Sequence, residues 1–253
     1  MEQMENNLVR EDESLDDLIL GGLQVIQPHR GYRFSLDAVL LAHFPVLNGV
    51  ESAVDLGSGS GVIPLILSYR SSSMTITGVE LQADMVDRSM RSMRLNGLNK
   101  RIRIIQADLR ETKSLLPVTS AQLVVCNPPF WKKGEGQISS HSGEAVARHE
   151  LEAEFSDICM AAARLLKDGG HFCVIHRAER TAEVIATMTA SRLQVSRIRA
   201  VHSFSGENAA LVLVEGKKNG RGGVKILPPL VIYKEPGVYS QELNGWYGRT
   251  EDV

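Results

Sequence analysis

The 253-residue chain is long enough for one large α/β domain or two small ones, and 43% of its residues are hydrophobic, which suffices for a substantial core. A formal net charge of −2 excludes a strong positive field over the whole molecule, so any surface that binds nucleic acid must be local. The scattered cysteines and the lack of a long apolar run argue against disulfides, a metal site and a membrane-spanning segment, and they favour a cytoplasmic protein.

Strand-like and helix-like segments alternate along the chain between a polar start and a polar end. Residues 1–14 are predicted to be a disordered tail, and residues 15–50 an N-terminal extension in which the helix Leu36–His43 follows Ser35 as its N-cap. Residues 51–240 are predicted to form the main domain and 241–253 a C-terminal tail. The strands predicted in the main domain are Ser52–Leu56, Met74–Glu80, Arg101–Gln106, Leu123–Cys126, Phe172–His176, Gln194–Ala200 and Ala209–Glu215.

The helices predicted between these strands are Ile63–Tyr69, Asp84–Leu95, Phe155–Leu166 and Arg180–Ala190. Strands that alternate with helices indicate a parallel sheet covered on both faces. The last two strands are joined only by Val201–Asn208, which is too short for a crossover helix, so we expect them to pair antiparallel. The glycine-rich segment Gly216–Gly223 is predicted to be an exposed hairpin turn.

A glycine loop follows the first strand of the main domain, in the sequence Asp55-Leu-Gly-Ser-Gly-Ser-Gly61. Glycines allow the backbone to turn sharply and to approach a ligand closely. The dinucleotide fingerprint G-x-G-x-x-G is not met, because Val62 occupies its last position, and this argues against a nicotinamide dehydrogenase. The next two strands end in acids: Glu80 could accept hydrogen bonds from both hydroxyls of a ribose, and Asp108 from an adenine amino group.

The fourth strand ends in Asn127-Pro128-Pro129-Phe130. An exocyclic amine on an aromatic ring is a poor nucleophile, and two acceptors placed around its hydrogens help to free its lone pair. The Asn127 side chain and the Pro128 carbonyl can be these acceptors, because the prolines restrict the backbone. Phe130 can stack on a base. Alone, the tetrapeptide could simply end a strand, but its position after the glycine loop and the two acids favours a functional site.

These four segments, in this order, resemble class I methyltransferases that use S-adenosylmethionine, and the last resembles the element of enzymes that methylate planar nitrogens. The resemblance implies an α/β fold with a Rossmann-like, doubly wound sheet of seven strands, the last antiparallel. It places Asn127, Pro128, Pro129 and Phe130 in catalysis, with the extension 15–50 packed over the cofactor. Cofactor contacts are expected from Arg33, Phe34, Asp37, Asp55, Gly57, Ser58, Gly59, Gly61, Glu80, Leu81, Asp108, Leu109 and Asn127.

The methyl acceptor remains open from this element alone, since adenine N6, cytosine N4, guanine N2 and a glutamine amide all fit it. Two further segments, Gly22–Ala42 and Ile226–Tyr233, resemble the valine tRNA (adenine-N6)-methyltransferase family, which implies an adenine beside the anticodon of a tRNA. The alternatives are the same transfer to guanine N2 of rRNA or to a protein glutamine, and a non-catalytic scaffold that keeps the cofactor fold.

Binding of RNA requires local positive charge, because phosphates dominate the affinity for nucleic acids. Surface lysines are usually only solvated. The glycine-rich segment near residue 220 is the strongest candidate, since glycine leaves its backbone free to fit a phosphate chain. The residues predicted to bind RNA are Lys132, Lys133, Lys217, Lys218, Arg221 and Lys225.

Overall fold

The computed structural model describes residues 8–31, 33–111, 116–129 and 154–247. An N-terminal unit comes first, with the hairpin of β1 (Glu13–Asp17) and β2 (Gln24–Pro28) followed by α1 (Leu36–His43). The main domain then consists of β3 (Ser52–Leu56), α2 (Val62–Arg70), β4 (Thr75–Glu80), α3 (Ala83–Leu95), β5 (Ile102–Gln106), β6 (Ala121–Cys126), α4 (Phe155–Leu165), β7 (Leu166–Arg177), α5 (Thr181–Ala190), β8 (Leu193–His202) and β9 (Leu211–Lys218).

Short elements complete the described chain. They are 3₁₀ turns at Leu109–Glu111 and Ala178–Arg180, the strands β10 (Lys225–Ile226) and β11 (Leu230–Val231), the hairpin of β12 (Tyr233–Glu235) and β13 (Val238–Tyr239), and the helix α6 (Gln241–Trp246). No helix in the described part of the chain is long and apolar enough to cross a membrane.

The central sheet has the order β10-β8-β9-β7-β6-β3-β4-β5, and β11 also pairs with β8. Only β9 runs antiparallel to its neighbours, β7 and β8. The expected α/β sheet of seven main strands with the last antiparallel is therefore confirmed. The two short edge strands were not predicted. Gly216–Gly223 is not the predicted hairpin turn, because β9 continues to Lys218 and β10 pairs in parallel with β8 instead of with β9.

Alternate residues of each strand enter opposite apolar layers. Ala53 and Val125 pack with α1, α2 and α3, whereas Val54 and Val124 pack with α4 and α5. This period of two follows from the pleat, and strands buried on both faces read as continuous apolar runs. Burial of each such side chain contributes about 1.5–3 kcal/mol, so these two layers are the main source of the fold's stability.

Both ends of the described chain are packed, which corrects two sequence expectations. Residues 8–14 do not belong to a disordered tail: Glu13 is buried and its carboxylate pairs with Arg91 at 2.6 Å and Arg88 at 3.1 Å. Burial opposes ionisation of Glu13, but hydrogen bonds from Arg91, Arg10 and Arg88 outweigh it and lower its pKa to about 2. Likewise, residues 241–247 form a docked helix instead of a tail, with Trp246 stacked on His43 at 4.6 Å between ring centroids.

Candidate active site

The glycine loop between β3 and α2 turns through backbone conformations that favour glycine. Gly57, Gly59 and Gly61 have φ angles of +75°, +55° and +84°. The amides of Gly57 and Ser58 both donate to the carbonyl of Val79, at 2.9 and 3.0 Å, so the loop wraps around the end of β4. A residue with a Cβ would strain the backbone at the three glycines, which explains their spacing.

Close packing beneath the loop adds a second constraint. A Cβ at Gly61 would lie 2.6 Å from the Met93 Cε atom and 3.1 Å from the Ser89 Cβ atom, both on α3. A Cβ at Gly78 on β4 would lie 2.6 Å from the Ser58 Oγ atom. The loop is therefore held between α3 and β4, and its exposed side faces the carboxyl edge of the sheet.

Glu80 connects the loop to the end of β4. Its side chain is buried, and one carboxylate oxygen accepts from the Gly59 amide at 2.8 Å while the other accepts from the Gln82 amide at 2.9 Å. Each oxygen has a further lone pair, so Glu80 can still accept a ligand hydroxyl while it orders the loop. Leu81 follows directly and lines the neighbouring cleft.

Asp55 is the most unusual group of the site. Its side chain is 0% exposed, and neither carboxylate oxygen has a hydrogen-bond partner; the nearby Ser58 hydroxyl also has none. Burial raises the pKa of Asp55 to about 7, with a further increase from the charge of Glu80 and a decrease from Ser58. A buried carboxylate without a partner is costly, and a cationic ligand would offset that cost.

A cleft of about 610 Å³ opens beside the ends of β4 and β5. Asp108 lies on its wall and is paired with Arg110 at 2.5 Å. Hydrogen bonding from Arg110 holds the pKa of Asp108 below its ordinary value. The cleft is lined by Leu81, Gln82, Ala83, Asp84, Gln106, Asp108 and Arg110. Leu109, also expected at the cofactor, begins the 3₁₀ turn after Asp108 and packs on the layer of α4 and α5.

Asn127 begins the segment after β6, with its side chain half-buried, Pro128 buried and Pro129 exposed. Because Cys126 is the register partner of Leu56, Asn127 and Gly57 leave adjacent strands side by side, about 5 Å apart. The structure thus brings the Asn-Pro-Pro segment to the glycine loop, as the sequence order predicts. Phe130, Lys132 and Lys133 lie outside the described residues.

The N-terminal unit holds the other three expected cofactor residues. Arg33 pairs with Asp16 at 2.5 Å and donates to the Pro28 carbonyl at 2.9 Å, so its positive charge is neutralised within the N-terminal unit. Phe34 is half-buried against the core. Burial raises the pKa of Asp37 in the first turn of α1. None of these contacts involves the glycine loop. Binding of the cofactor by Arg33, Phe34 and Asp37 stays a prediction.

Of the cations predicted to bind RNA, the four that the structure describes do not contact Asn127. Lys217 pairs with His171 of β7, which in turn pairs with Leu123 near the start of β6, so the end of β9 lies towards the amino edge of the parallel strands. Asn127 is four residues beyond the level of Lys217, so the two residues lie about 13 Å apart along the strands and two strands apart across the sheet. Lys218 and Arg221 follow at the same edge, and Lys225 lies on the outer strand opposite Arg197.

Five residues that line the cleft were not identified as site residues from the sequence: Gln82, Ala83, Asp84, Gln106 and Arg110. Arg110 occupies the carboxylate of Asp108, and Gln82 both donates to Glu80 and lines the cleft. The close spacing of Asp108 and Arg110 was the available signal for their pairing. In the described residues no group of three or more histidine, cysteine, aspartate or glutamate side chains is arranged to hold a metal ion.

Known proteins share both the sequence pattern and the fold. The family model described as methyltransferase small domain matches residues 36–204. A Tolumonas auensis protein named tRNA1(Val) (adenine(37)-N6)-methyltransferase is 27% identical over 70% of this chain and 73% of its own length. A protein with the same name from Flavobacterium psychrophilum is 25% identical over 86% of this chain and 92% of its own length. The crystal structure of a predicted O-methyltransferase from Agrobacterium tumefaciens has the same fold, with a TM-score of 0.67 at 22% identity over 86% of this chain and 100% of the other.

Proposed function

Because the chain belongs to the methyltransferase small domain family, we propose that it transfers a methyl group to the exocyclic N6 amine of an adenine in tRNA, next to the anticodon. The observation that carries this proposal is the placement of Asn127, Pro128 and the glycine loop at one edge, above the buried and unpartnered Asp55. The names of the relatives from Tolumonas auensis and Flavobacterium psychrophilum support the choice of adenine and of tRNA. This substrate implies a cytoplasmic enzyme.

S-adenosylmethionine is the cofactor, and when bound it supplies an electrophilic methyl group on a positively charged sulfur. The donor set fits such a molecule. Asp55 offers an unpaired carboxylate for its positive charge, and the glycine loop leaves room for its approach. We assign the ribose hydroxyls to Glu80. We assign the adenine amino group to Asp108, which lines the cleft beside Glu80, and this contact requires Arg110 to give up part of its pairing with the Asp108 carboxylate.

Asn127 prepares the acceptor amine by accepting hydrogen bonds, together with the Pro128 carbonyl. Because proline restricts φ at position 128 and biases Asn127 towards extended backbone, both oxygens keep defined positions. Such positioning lowers the barrier by aiming the lone pair of the amine at the site where the methyl group is held, and well-oriented cases supply about 7 kcal/mol or more. No strong base is required, since the methylated nitrogen is acidic. A stacked adenine must swing out to reach this edge.

The test is a transfer assay with radiolabelled S-adenosylmethionine and, in parallel, total tRNA, total rRNA and a release factor, followed by nucleoside analysis. We expect label in tRNA as N6-methyladenosine. Label in rRNA guanine or in a protein glutamine would keep the chemistry and reject the substrate. Binding of S-adenosylmethionine without transfer to any acceptor would favour a non-catalytic scaffold.

A further inference from the structure

Basic side chains near the carboxyl edge are paired with carboxylates of the same chain. Arg110 pairs with Asp108 at 2.5 Å, Arg177 with Glu179 at 3.5 Å, and Arg180 with Glu183. These pairs leave little net positive charge on the side of the sheet where methyl transfer would occur. The described residues at that edge thus account poorly for the attraction of a polyanion such as RNA.

The opposite edge has a different arrangement. Four cations there, Lys167, Arg192, Lys217 and Arg221, are exposed, and within the described part of the chain none has an ion pair or a side-chain hydrogen bond. We refer to these four, with the adjacent Lys218, as the amino-edge surface. Unlike the paired arginines, these four cations have no carboxylate partner in the described residues, although Asp168 lies at the same edge beside Lys167 and accepts from the Asn219 side-chain amide at 2.8 Å.

Backbone pairing brings this surface together. Lys218 is the register partner of Leu193, and the Asn219 amide donates to the Arg192 carbonyl at 3.0 Å, which sets β9 beside the start of β8. The Lys218 ammonium donates to the Leu166 carbonyl at 2.7 Å, which ties in the segment that carries Lys167. The cations therefore come from three neighbouring strands and not from one flexible run.

The glycine-rich connection beyond β9 leaves its backbone open. A Cβ at Gly222 or Gly223 would meet no atom within 4 Å, so a ligand can approach the main chain there. Exposed lysine and arginine beside open backbone amides are the groups that contact phosphate oxygens in nucleic acids. An acidic protein would also be attracted, but single charges spread over Lys167, Arg192 and Arg221 suit a repeating phosphate chain better than a localised acidic patch.

We infer that the amino-edge surface binds the phosphate backbone of the RNA substrate at a place remote from the reacting base. The identity of that RNA rests on the proposed function. Lys217 is level with Leu123 of β6, so the surface lies about 13 Å along the strands from Asn127 and two strands across the sheet, and an RNA molecule that contacts both must extend away from the reacting base. The surface thus adds affinity for a long RNA without taking part in the reaction.

The test compares a full-length tRNA transcript with a minimal anticodon loop on a shortened stem. The test variant carries both Lys217→Glu and Arg221→Glu. It is compared with the wild type and with a control double variant, Arg94→Glu and Lys100→Glu, which reverses two exposed charges elsewhere on the chain. Dissociation constants are measured by filter binding at several salt concentrations, and kcat and KM are measured on both RNAs. Thermal unfolding and binding of S-adenosylmethionine verify that each variant is folded.

For the amino-edge double variant, we expect at least about a tenfold weaker affinity for the full-length transcript and a salt-dependence slope smaller by about 2, since each lost phosphate contact reduces the slope by about 1. We expect an unchanged kcat at saturating RNA and an unchanged affinity for the minimal loop. Each of three outcomes would overturn the inference. The amino-edge double variant binds the full-length transcript with wild-type affinity; it loses as much affinity for the minimal loop as for the full-length transcript; or the control double variant loses as much affinity as the amino-edge double variant. If the wild type transfers no methyl group to tRNA, and the amino-edge double variant still loses salt-dependent RNA binding, the result would support this surface and reject the proposed function.

Discussion

At the carboxyl edge of the sheet, Asp55 and Glu80 are buried acids enclosed by a tight glycine loop, whereas at the amino edge Lys217 and Arg221 are exposed bases on an open segment. Charges that are excluded from water interact strongly with a ligand, because the solvent screens them little. Their buried side chains also have fixed positions. Exposed charges contribute about 0–1 kcal/mol each and are weakened by salt. The first edge is therefore suited to selecting and orienting a small ligand, and the second to holding a large polyanion by the sum of weak contacts.

The largest effect is expected from Asn127→Ala at the carboxyl edge. Loss of a positioned hydrogen-bonding group in an active site commonly costs about a hundredfold to a thousandfold in kcat. Affinity for S-adenosylmethionine should change little. The matched variant Asn127→Asp keeps an acceptor oxygen and should retain more activity than the alanine variant. Turnover near the wild-type rate in Asn127→Ala, measured by methyl transfer to tRNA, would refute the role of this side chain.

Asp55→Asn is expected to have opposite effects on stability and on cofactor binding. The pKa of Asp55 is about 7 in the folded chain, above the ordinary value of 3.8, so the wild type without ligand loses stability as the pH rises from about 4 to about 7. The variant lacks this loss and should be more stable at pH 8 by about 2–4 kcal/mol. Urea unfolding at pH 5, 6, 7 and 8 checks this, and parallel pH profiles for both proteins would contradict it.

The same carboxylate should make cofactor affinity depend on pH. Binding of a cation requires ionised Asp55, so the dissociation constant of the wild type should increase about tenfold for each unit of pH below about 7. In Asp55→Asn, affinity should be weaker at pH 8 and nearly independent of pH. Calorimetry in buffers with different ionisation enthalpies would also detect proton release on binding to the wild type. A flat pH profile in the wild type would rule out a cation contact at Asp55.

A steric test of the carboxyl edge is Gly61→Ala, with Gly223→Ala as its match at the amino edge. The added methyl group at Gly61 would meet Met93 at 2.6 Å and must adopt a φ of +84°, so we expect a loss of about 2–4 kcal/mol in the free energy of unfolding. At Gly223 nothing lies within 4 Å and φ is not in the left-handed region, so stability should be nearly unchanged. Equal losses in the two variants would show that the loop is not closely packed.

The smallest effect is expected from Lys217→Ala alone. Removal of one exposed charge should raise the KM for full-length tRNA only about two- to fivefold at low salt, and the difference should vanish at high salt. kcat should stay at the wild-type value. An effect that persists at high salt would indicate a structural role for Lys217 and would weaken the distinction between the two edges.

Local sequence signals predicted the carboxyl edge well because each of its groups directly follows a strand. The apolar runs before Gly57, Glu80 and Asn127 identified three parallel strands, and aligned parallel strands bring the residues after them together. The expected bounds of β3 and α1 match the structure, and those of the other main helices differ by about one residue. Residues 8–14 and 241–247 were mispredicted as tails, because their polarity conceals the packed contacts of Glu13 and Trp246.

The sequence by itself determined the alternating fold, the glycine loop, the acids after the strands and the Asn-Pro-Pro segment, because these depend on local periodicity and backbone restriction. Only the tertiary structure decided which charges remain unpaired. Arg33 obtains an acidic partner, Asp16, that is distant in the sequence, whereas Lys217 and Arg221 obtain none in the described part of the chain, and nothing in their local sequence distinguishes them. The direction of β9 also had to be known before Lys217 and Arg221 could be assigned to the amino edge of the sheet. Strand direction and charge pairing both arise from contacts between distant parts of the chain.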